Sequence, residues 1–291
     1  MSSKIAAAVV LYNPSKEVIN NIISYISEIN RLFVVDNSIA DNQYLLTVIP
    51  GFEEKITYIS SGENNGIGYA LNTAATLAIE QGYQWMLTMD QDSCFDHTSS
   101  STFFNRPHTT ENVSLVGIFT PVHATQVYEE EAHHNGNQLV EVKTCMTSGN
   151  LLNLEIWKTI GGFNEEFFID SVDHEYCLRL RLNKFLILLD TTCHLKHALG
   201  ESGKTAIGGL QLNSTNHNAV RRYYMTRNRL YCIFRYIRFD PKMMLTDALA
   251  IVKETIKIIL IESDKKKKIL STYRGFKDFF NRKMGKYPYT I

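Results

Sequence analysis

The stretch that most limits what this chain can become is residues 85–93, Trp-Met-Leu-Thr-Met-Asp-Gln-Asp-Ser. A run that is apolar apart from Thr88 leads directly into two carboxylates. Such a run suits a strand covered on both faces. In an open α/β sheet, ligands collect beyond the carboxyl ends of the strands, so Asp90 and Asp92 are expected at a crevice. Two carboxylates one residue apart cannot both turn into apolar protein at low cost. They call for water, a cation or a hydroxyl-rich ligand. A divalent cation carrying phosphates meets that demand, and so does an ordinary polar turn. The pair alone leaves both readings open.

The chain upstream repeats this plan. Residues 4–12 (KIAAAVVLY) read as a first buried strand, and Asn13-Pro14 as a helix cap followed by Pro at the first helical position. Val18, Ile22, Ile26 and Ile29 recur at helical spacing. Residues 32–35 form a second strand that ends in Asp36-Asn37-Ser38, and residues 56–59 a third. Strand, helix, strand with polar exits predicts a parallel sheet. The turn Asn64-Asn65-Gly66-Ile67-Gly68 precedes a helix with Ala70, Ala74 and Ala78 on one face and Gly82 at its end. It lacks the third glycine of a dinucleotide fingerprint.

Downstream, residues 96–112 read as loop with some helix, and 113–120 and 138–145 as strands. Residues 128–137 read as an exposed hairpin tip, whose adjacent His133 and His134 point apart on an extended chain and make a poor metal site. Residues 146–150 lead to a short helix over 154–160. A second helix follows Asp170, with Asp173 in its first turn and Val172, Tyr176, Leu178, Leu180 and Leu182 as buried positions. Residues 185–189 form another strand, and residues 194–200 a polar loop. From Arg221 onward the chain is helical and rich in aromatics, and residues 245–261 are amphipathic. The expected division is an α/β domain over residues 1–215 and a helical region with a basic tail over 216–291.

Charge is unevenly placed. Residues 264–291 hold nine Lys/Arg against two Asp, a net of +7, so residues 1–263 carry −7 of a chain whose formal charge is zero. A basic end on an acidic body points to an anionic partner such as a membrane surface, or to a solvated helix end. No nucleic-acid partner is expected. Five scattered cysteines without a Cys-x-x-Cys pair support neither a zinc site nor a disulfide framework, which fits a reducing cytoplasm. No signal-peptide plan and no apolar run of transmembrane length stand in the sequence. The expected location is cytoplasmic, with a peripheral contact at the inner membrane face.

Taken together, residues 10–14, 34–38, 64–72, 90–93, 170–179, 197–200 and 221–228 resemble the family 2 glycosyltransferases. The Asp-Gln-Asp-Ser form is similar to the rhamnosyltransferase-like group. The resemblance runs over roughly residues 5–230. It implies a GT-A-type, Rossmann-like mixed sheet with helices on both faces and, here, a C-terminal helical extension. It also implies an inverting transfer from a nucleoside-diphosphate sugar, usually with Mg2+ or Mn2+. dTDP-L-rhamnose is the implied donor and a UDP-sugar the alternative. The implied acceptor is a saccharide or lipid-linked saccharide in O-antigen, capsule or cell-wall assembly.

On this resemblance Asp92 ligates the metal, joined by Asp90 and His197. Tyr12, Asn13, Asp36, Asn64, Gly66 and Asp90 contact the nucleotide sugar, and Arg221 and Arg227 contact phosphate or acceptor, since Arg suits bidentate phosphate binding. Asp173 is the general base. Many relatives carry Glu-Asp where this chain has Val172-Asp173, so Asp170 stands as the alternative base. Two readings of other classes remain: an Asp-x-Asp phosphohydrolase or nucleotidyltransferase, and a non-catalytic glycan-binding module.

Overall fold

The structure is a computed structural model that describes residues 4–96, 100–123, 138–197, 203–207, 210–214 and 216–289. The expected hairpin tip at residues 128–137 lies outside the described residues. The chain divides into two compact units, Met1–Phe163 with Tyr176–Ala198, and Asn164–Glu175 with Leu199–Ile291.

The first unit is built on one mixed sheet. Its first half alternates strand and helix: β1 (Ile5–Leu11), α1 (Glu17–Ile23), β2 (Arg31–Asp36), α2 (Phe52–Lys55), β3 (Ile56–Ser60), α3 (Ile67–Glu80) and β4 (Trp85–Asp90). The second half is more broken: β5 (Ser93–Phe95), α4 (Ser100–Phe104), α5 (Arg106–Thr109), β6 (Val116–His123), β7 (Leu139–Glu141), β8 (Asn150–Asn153), α6 (Leu154–Ile160), α7 (Val172–Leu182) and β9 (Leu186–His197). The strand order is β3-β2-β1-β4-β8-β6-β9-β5, with β7 paired to β9. Strands β1 to β4 run parallel, and β8 enters antiparallel between β4 and β6. The expected GT-A-type mixed sheet is therefore present.

The strand interiors explain this order. Ala6, Ala7, Ala8, Leu32, Phe33, Val34, Met86, Leu87 and Met89 are all buried, as strands covered on both sides require. Burial of each large apolar side chain contributes about 1.5–3 kcal/mol. Small residues let α3 lie close on the sheet, with Ala70, Ala74, Ala75 and Ala78 wholly buried.

Several local expectations are corrected. Asn13 does not cap a helix. It adopts φ 47°, its N–H donates to Ser38 Oγ at 2.7 Å, and α1 starts only at Glu17. Residues 194–197 are not loop but the end of β9, paired with β5. Residues 113–115 form a 3-10 turn ahead of β6. Leu182, read as core, is exposed.

The second unit contains the hairpin β10 (Gly203–Ile207) and β11 (Leu210–Ser214) and the helices α8 (Ala219–Tyr236), α9 (Pro241–Leu260) and α10 (Lys265–Phe280). Asn218 caps α8 by accepting from Arg221 N–H, and Asp240 caps α9 ahead of Pro241. Gly275 lets α10 approach α8: a Cβ there would stand 2.7 Å from the Tyr223 carbonyl oxygen.

Candidate active site

In the first unit the strand ladders set three chain exits side by side. Leu11 pairs with Asp36, and Val10 pairs with Asp90. The chain runs from β1 outward to β3 and returns to β4 on the other flank of β1. That reversal is a switch point, where an open α/β sheet leaves a crevice.

The Asp90-Gln91-Asp92 turn is pinned by neighbours. Tyr12 N–H donates to Gln91 Oε1 at 2.8 Å, and Gln91 Nε2 donates back to the Tyr12 carbonyl at 3.2 Å. Asn21 Nδ2 donates to the Gln91 carbonyl at 2.8 Å, and Asp90 N–H donates to Ser148 Oγ at 3.0 Å. Gln91 is thus turned toward β1. Asp90 is half-buried and Asp92 exposed. Tyr12, its backbone held on both sides, leaves its side chain 53% exposed. The chain then enters β5 at the fully buried Ser93, which pairs in register with His197 at the end of β9. The fold therefore brings the His197 backbone beside the residue that follows Asp92.

Asp36 is almost fully buried. Its Oδ1 accepts from Ser38 N–H at 2.8 Å, and its Oδ2 accepts from Tyr58 OH at 2.7 Å and Asn42 Nδ2 at 2.8 Å. Burial alone pushes this carboxyl up, but the bonds from Ser38, Tyr58 and Asn42 outweigh it and hold it below the usual carboxylate range. Asn64 Oδ1 accepts from Gly66 N–H, while Asn37 Nδ2 donates to the Gly66 carbonyl. At φ 88° Gly66 takes a conformation that glycine adopts without strain, and α3 starts from it.

Asp170 and Asp173 lie at the start of α7, whose first four residues belong to the second unit. Phe168, Asp170 and Ser171 all have positive φ, between 62° and 65°. Three such non-glycine residues in four positions store strain that the surroundings must hold. Two buried side chains of α8 supply the hold. Asn228 Nδ2 donates to the carbonyls of Phe167, Ile169 and Asp170 at 2.8–3.0 Å. Arg227 Nη2 donates to the carbonyls of Glu166 and Phe167, and Nη1 to that of Gly285 and to Tyr223 OH. Arg227 was expected at phosphate or acceptor; its guanidinium is instead wholly buried and occupied by these acceptors.

Arg221 donates through Nε and Nη2 to the Asp170 carboxylate at 3.2 Å. The Asp170 carboxyl is raised, by burial first, with Arg221 opposing and the neighbouring Asp173 adding to the rise. Asp173 is half-buried, and its Oδ1 accepts from His174 N–H at 2.8 Å. Beside Arg221 and Arg222, His217 is pushed down to about 4 by burial and then by those two cations. Sequence reasoning missed Gln91, Ser148 and Asn228, because each acts through a partner distant in the chain.

A model of the family described as glycosyl transferase family 2 matches residues 9–164, more than half of the chain. This chain belongs to glycosyl transferase family 2. A dTDP-rhamnosyl transferase, RfbF of Shigella flexneri, is 26% identical over 303 residues, covering 95% of this chain and 97% of that protein. Among solved structures, S. aureus TarS residues 1–349 superposes with a TM-score of 0.59 at 12% identity, over 95% of this chain and 80% of that one. GalNAc-T7 with UDP, GalNAc and Mn2+ gives 0.56 at 10% identity, over 96% of this chain and 56% of that one. These two likenesses show the fold. Family membership makes this family 2 chain a nucleotide-sugar glycosyltransferase and displaces the phosphohydrolase and binding-module readings.

Among the described residues no group of three or more His, Cys, Asp or Glu side chains could cage a metal. Asp90 and Asp92 fit another plan. A hard cation such as Mg2+ sits on one or two carboxylates and completes its shell with phosphate oxygens and water. The exposed Asp92 suits that arrangement.

Proposed function

We propose that this family 2 enzyme transfers L-rhamnose from dTDP-L-rhamnose, with inversion, to a saccharide or lipid-linked saccharide during assembly of a cell-surface polysaccharide such as an O-antigen. The observation that carries the donor assignment is the reach of the likeness to the Shigella dTDP-rhamnosyl transferase, nearly the full length of both proteins. A UDP-sugar is the second reading, favoured by TarS in complex with UDP-GlcNAc (TM-score 0.55 at 13% identity, over 92% of this chain and 79% of that one).

In this reading the exposed Tyr12 ring and Asn13 frame the nucleobase, since an aromatic face offers a stacking surface. Asp36 shapes the wall of the nucleotide site from behind, and the Asn64–Gly66 turn lets the nucleotide approach backbone. Asp90 contacts ribose or sugar hydroxyls. Asp92, with Asp90 and His197, would hold Mg2+ or Mn2+, which when bound offsets the charge that grows on the departing diphosphate.

The acceptor hydroxyl oxygen attacks the anomeric carbon as the bond from that carbon to phosphate oxygen breaks. The nucleoside diphosphate leaves with the electron pair, and the hydroxyl proton passes to Asp173 as general base. Asp173 is preferred to Asp170 because Asp170 is engaged by Arg221. Arg221 and Asp170 then form a positioning pair, and Arg227 holds the loop that carries it. The catalytic part of this reading spans residues 1–215, and residues 216–291 support it.

A thermal-shift screen of nucleotide sugars, with and without Mn2+, tests the donor. dTDP-L-rhamnose with Mn2+ is expected to give the largest shift. A larger shift with a UDP-sugar would transfer the assignment to that donor.

A further inference from the structure

Helix α9 carries a surface that the transfer reaction does not use. Leu245, Leu249, Val252, Ile256 and Ile259 are each 49–60% exposed. Their alternating spacing of four and three places them in a roughly 80° arc at 3.6 residues per turn. Met244, Ile251 and Ile258, seven apart, are buried, and the helix packs on α8 and α10. The helix is therefore apolar toward its own unit and again toward solvent.

We infer that this outer face docks on an anionic lipid surface. No described helix is long and apolar enough to cross a membrane. An amphipathic helix with cations at its border instead lies in the headgroup plane. Such cations are present: Lys242 and Lys253 are exposed on one edge of the strip, and Lys265, Lys266 and Lys267 follow directly after it, also exposed.

The carboxylates of the region are drawn inward. Asp240 caps α9, Asp247 pairs with His174, and Glu254 pairs with Arg222 and Arg229. Glu262 pairs with Arg222 and Lys268, and Asp278 accepts from Tyr223 and Tyr289. Among the described residues of 216–289, Asp264 is the only exposed carboxylate, the others being buried or half-buried. The face left outward is apolar and positive, which complements lipid phosphates.

A second copy of the chain fits less well. The four–three spacing is that of a coiled-coil seam, but the flanking positions are Thr246, Ala248, Lys253, Thr255 and Leu260. They offer no opposite charges to pair across a symmetric contact.

Flotation of the full chain with vesicles tests this. Recovery with phosphatidylcholine vesicles containing phosphatidylglycerol is expected to exceed that with pure phosphatidylcholine by about tenfold, and to fall by a similar factor in about 0.5 M salt. Leu249→Glu with Ile256→Glu should abolish recovery on both. Lys265→Gln, Lys266→Gln and Lys267→Gln together should remove only the phosphatidylglycerol-dependent part. Acceptor-independent donor hydrolysis without vesicles should be unchanged in the Leu249/Ile256 variant, which separates this docking from the transferase reading. Absence of wild-type recovery on phosphatidylglycerol vesicles overturns the proposal, as does unaltered flotation of the Leu249/Ile256 variant. A wild-type dimer that this variant converts to monomer assigns the face to a second copy instead.

Discussion

The loops at the ends of β1, β2 and β4 and the loop over residues 164–171 both carry acidic side chains, yet different forces build them. In the first, Tyr12, Asp36 and Asp90 are aligned by backbone ladders, and side chains such as Gln91 only trim the turn. In the second, the backbone is strained at Phe168, Asp170 and Ser171, and two buried side chains, Arg227 and Asn228, hold it. A ladder spreads positional control over many peptide groups, so one side chain removed shifts little. A strained loop concentrates that control, so one side chain removed releases it.

The largest expected effect lies just after the second loop, in the first turn of α7. Asp173→Asn should lower transfer by roughly a hundred- to ten-thousand-fold while donor affinity survives. Near-normal turnover would take Asp173 out of the base role and return attention to Asp170. Next comes the ladder-built side. Asp92→Ala should lower the rate by roughly a hundredfold or more and raise the Mn2+ concentration needed for half-activity. Excess EDTA should stop the wild-type reaction; full activity in EDTA would refute a metal at Asp92.

The contrast in stability is the sharper test. Arg227→Ala should destabilise by about 3 kcal/mol or more, and Asn228→Ala by about 2 kcal/mol, because each strands several carbonyls inside the protein. Gln91→Ala should cost about 1 kcal/mol or less, since water can reach the Tyr12 peptide. Denaturant melts of the three variants compare them directly. Equal losses for Asn228→Ala and Gln91→Ala would erase the distinction.

A comparably small effect concerns Asp36. Its folded-state carboxyl is depressed below the reference of 3.8. It therefore contributes stability above the unfolded-state value, and that contribution is lost as pH falls through the lower folded-state value. Asp36→Asn should be less stable than wild type by about 1 kcal/mol at pH 7. The gap should narrow as melts are repeated below about pH 4. A gap that stays constant into acid would assign the loss to packing rather than to charge.

Much of the first unit was legible before any coordinates. The apolar runs at 4–12, 32–35, 56–59 and 85–89 are β1 to β4, and Ala70, Ala74 and Ala78 do line the buried face of α3. Residues 154–160 are α6 as read. Strands β5 and β8 were not legible. At three and four residues they are too short for a period, and they exist because β9 and the β4–β6 gap offer them partners. The polar residues 194–197 likewise read as loop, and pairing with β5 makes them strand.

The amino-acid order by itself determined the core strands and the acidic exits that follow them, because hydrophobic periodicity and chain breakers act within a few residues. It also determined the uneven charge, which composition alone carries. Only the tertiary structure decided which charged groups serve as scaffold. Arg227, Glu262 and Asp36 are chemically fit for ligands, but each is buried and bonded to at least one side chain or carbonyl from another segment: Glu166 for Arg227, Arg222 for Glu262 and Tyr58 for Asp36. Burial is a property of where distant segments meet, and no local pattern encodes it.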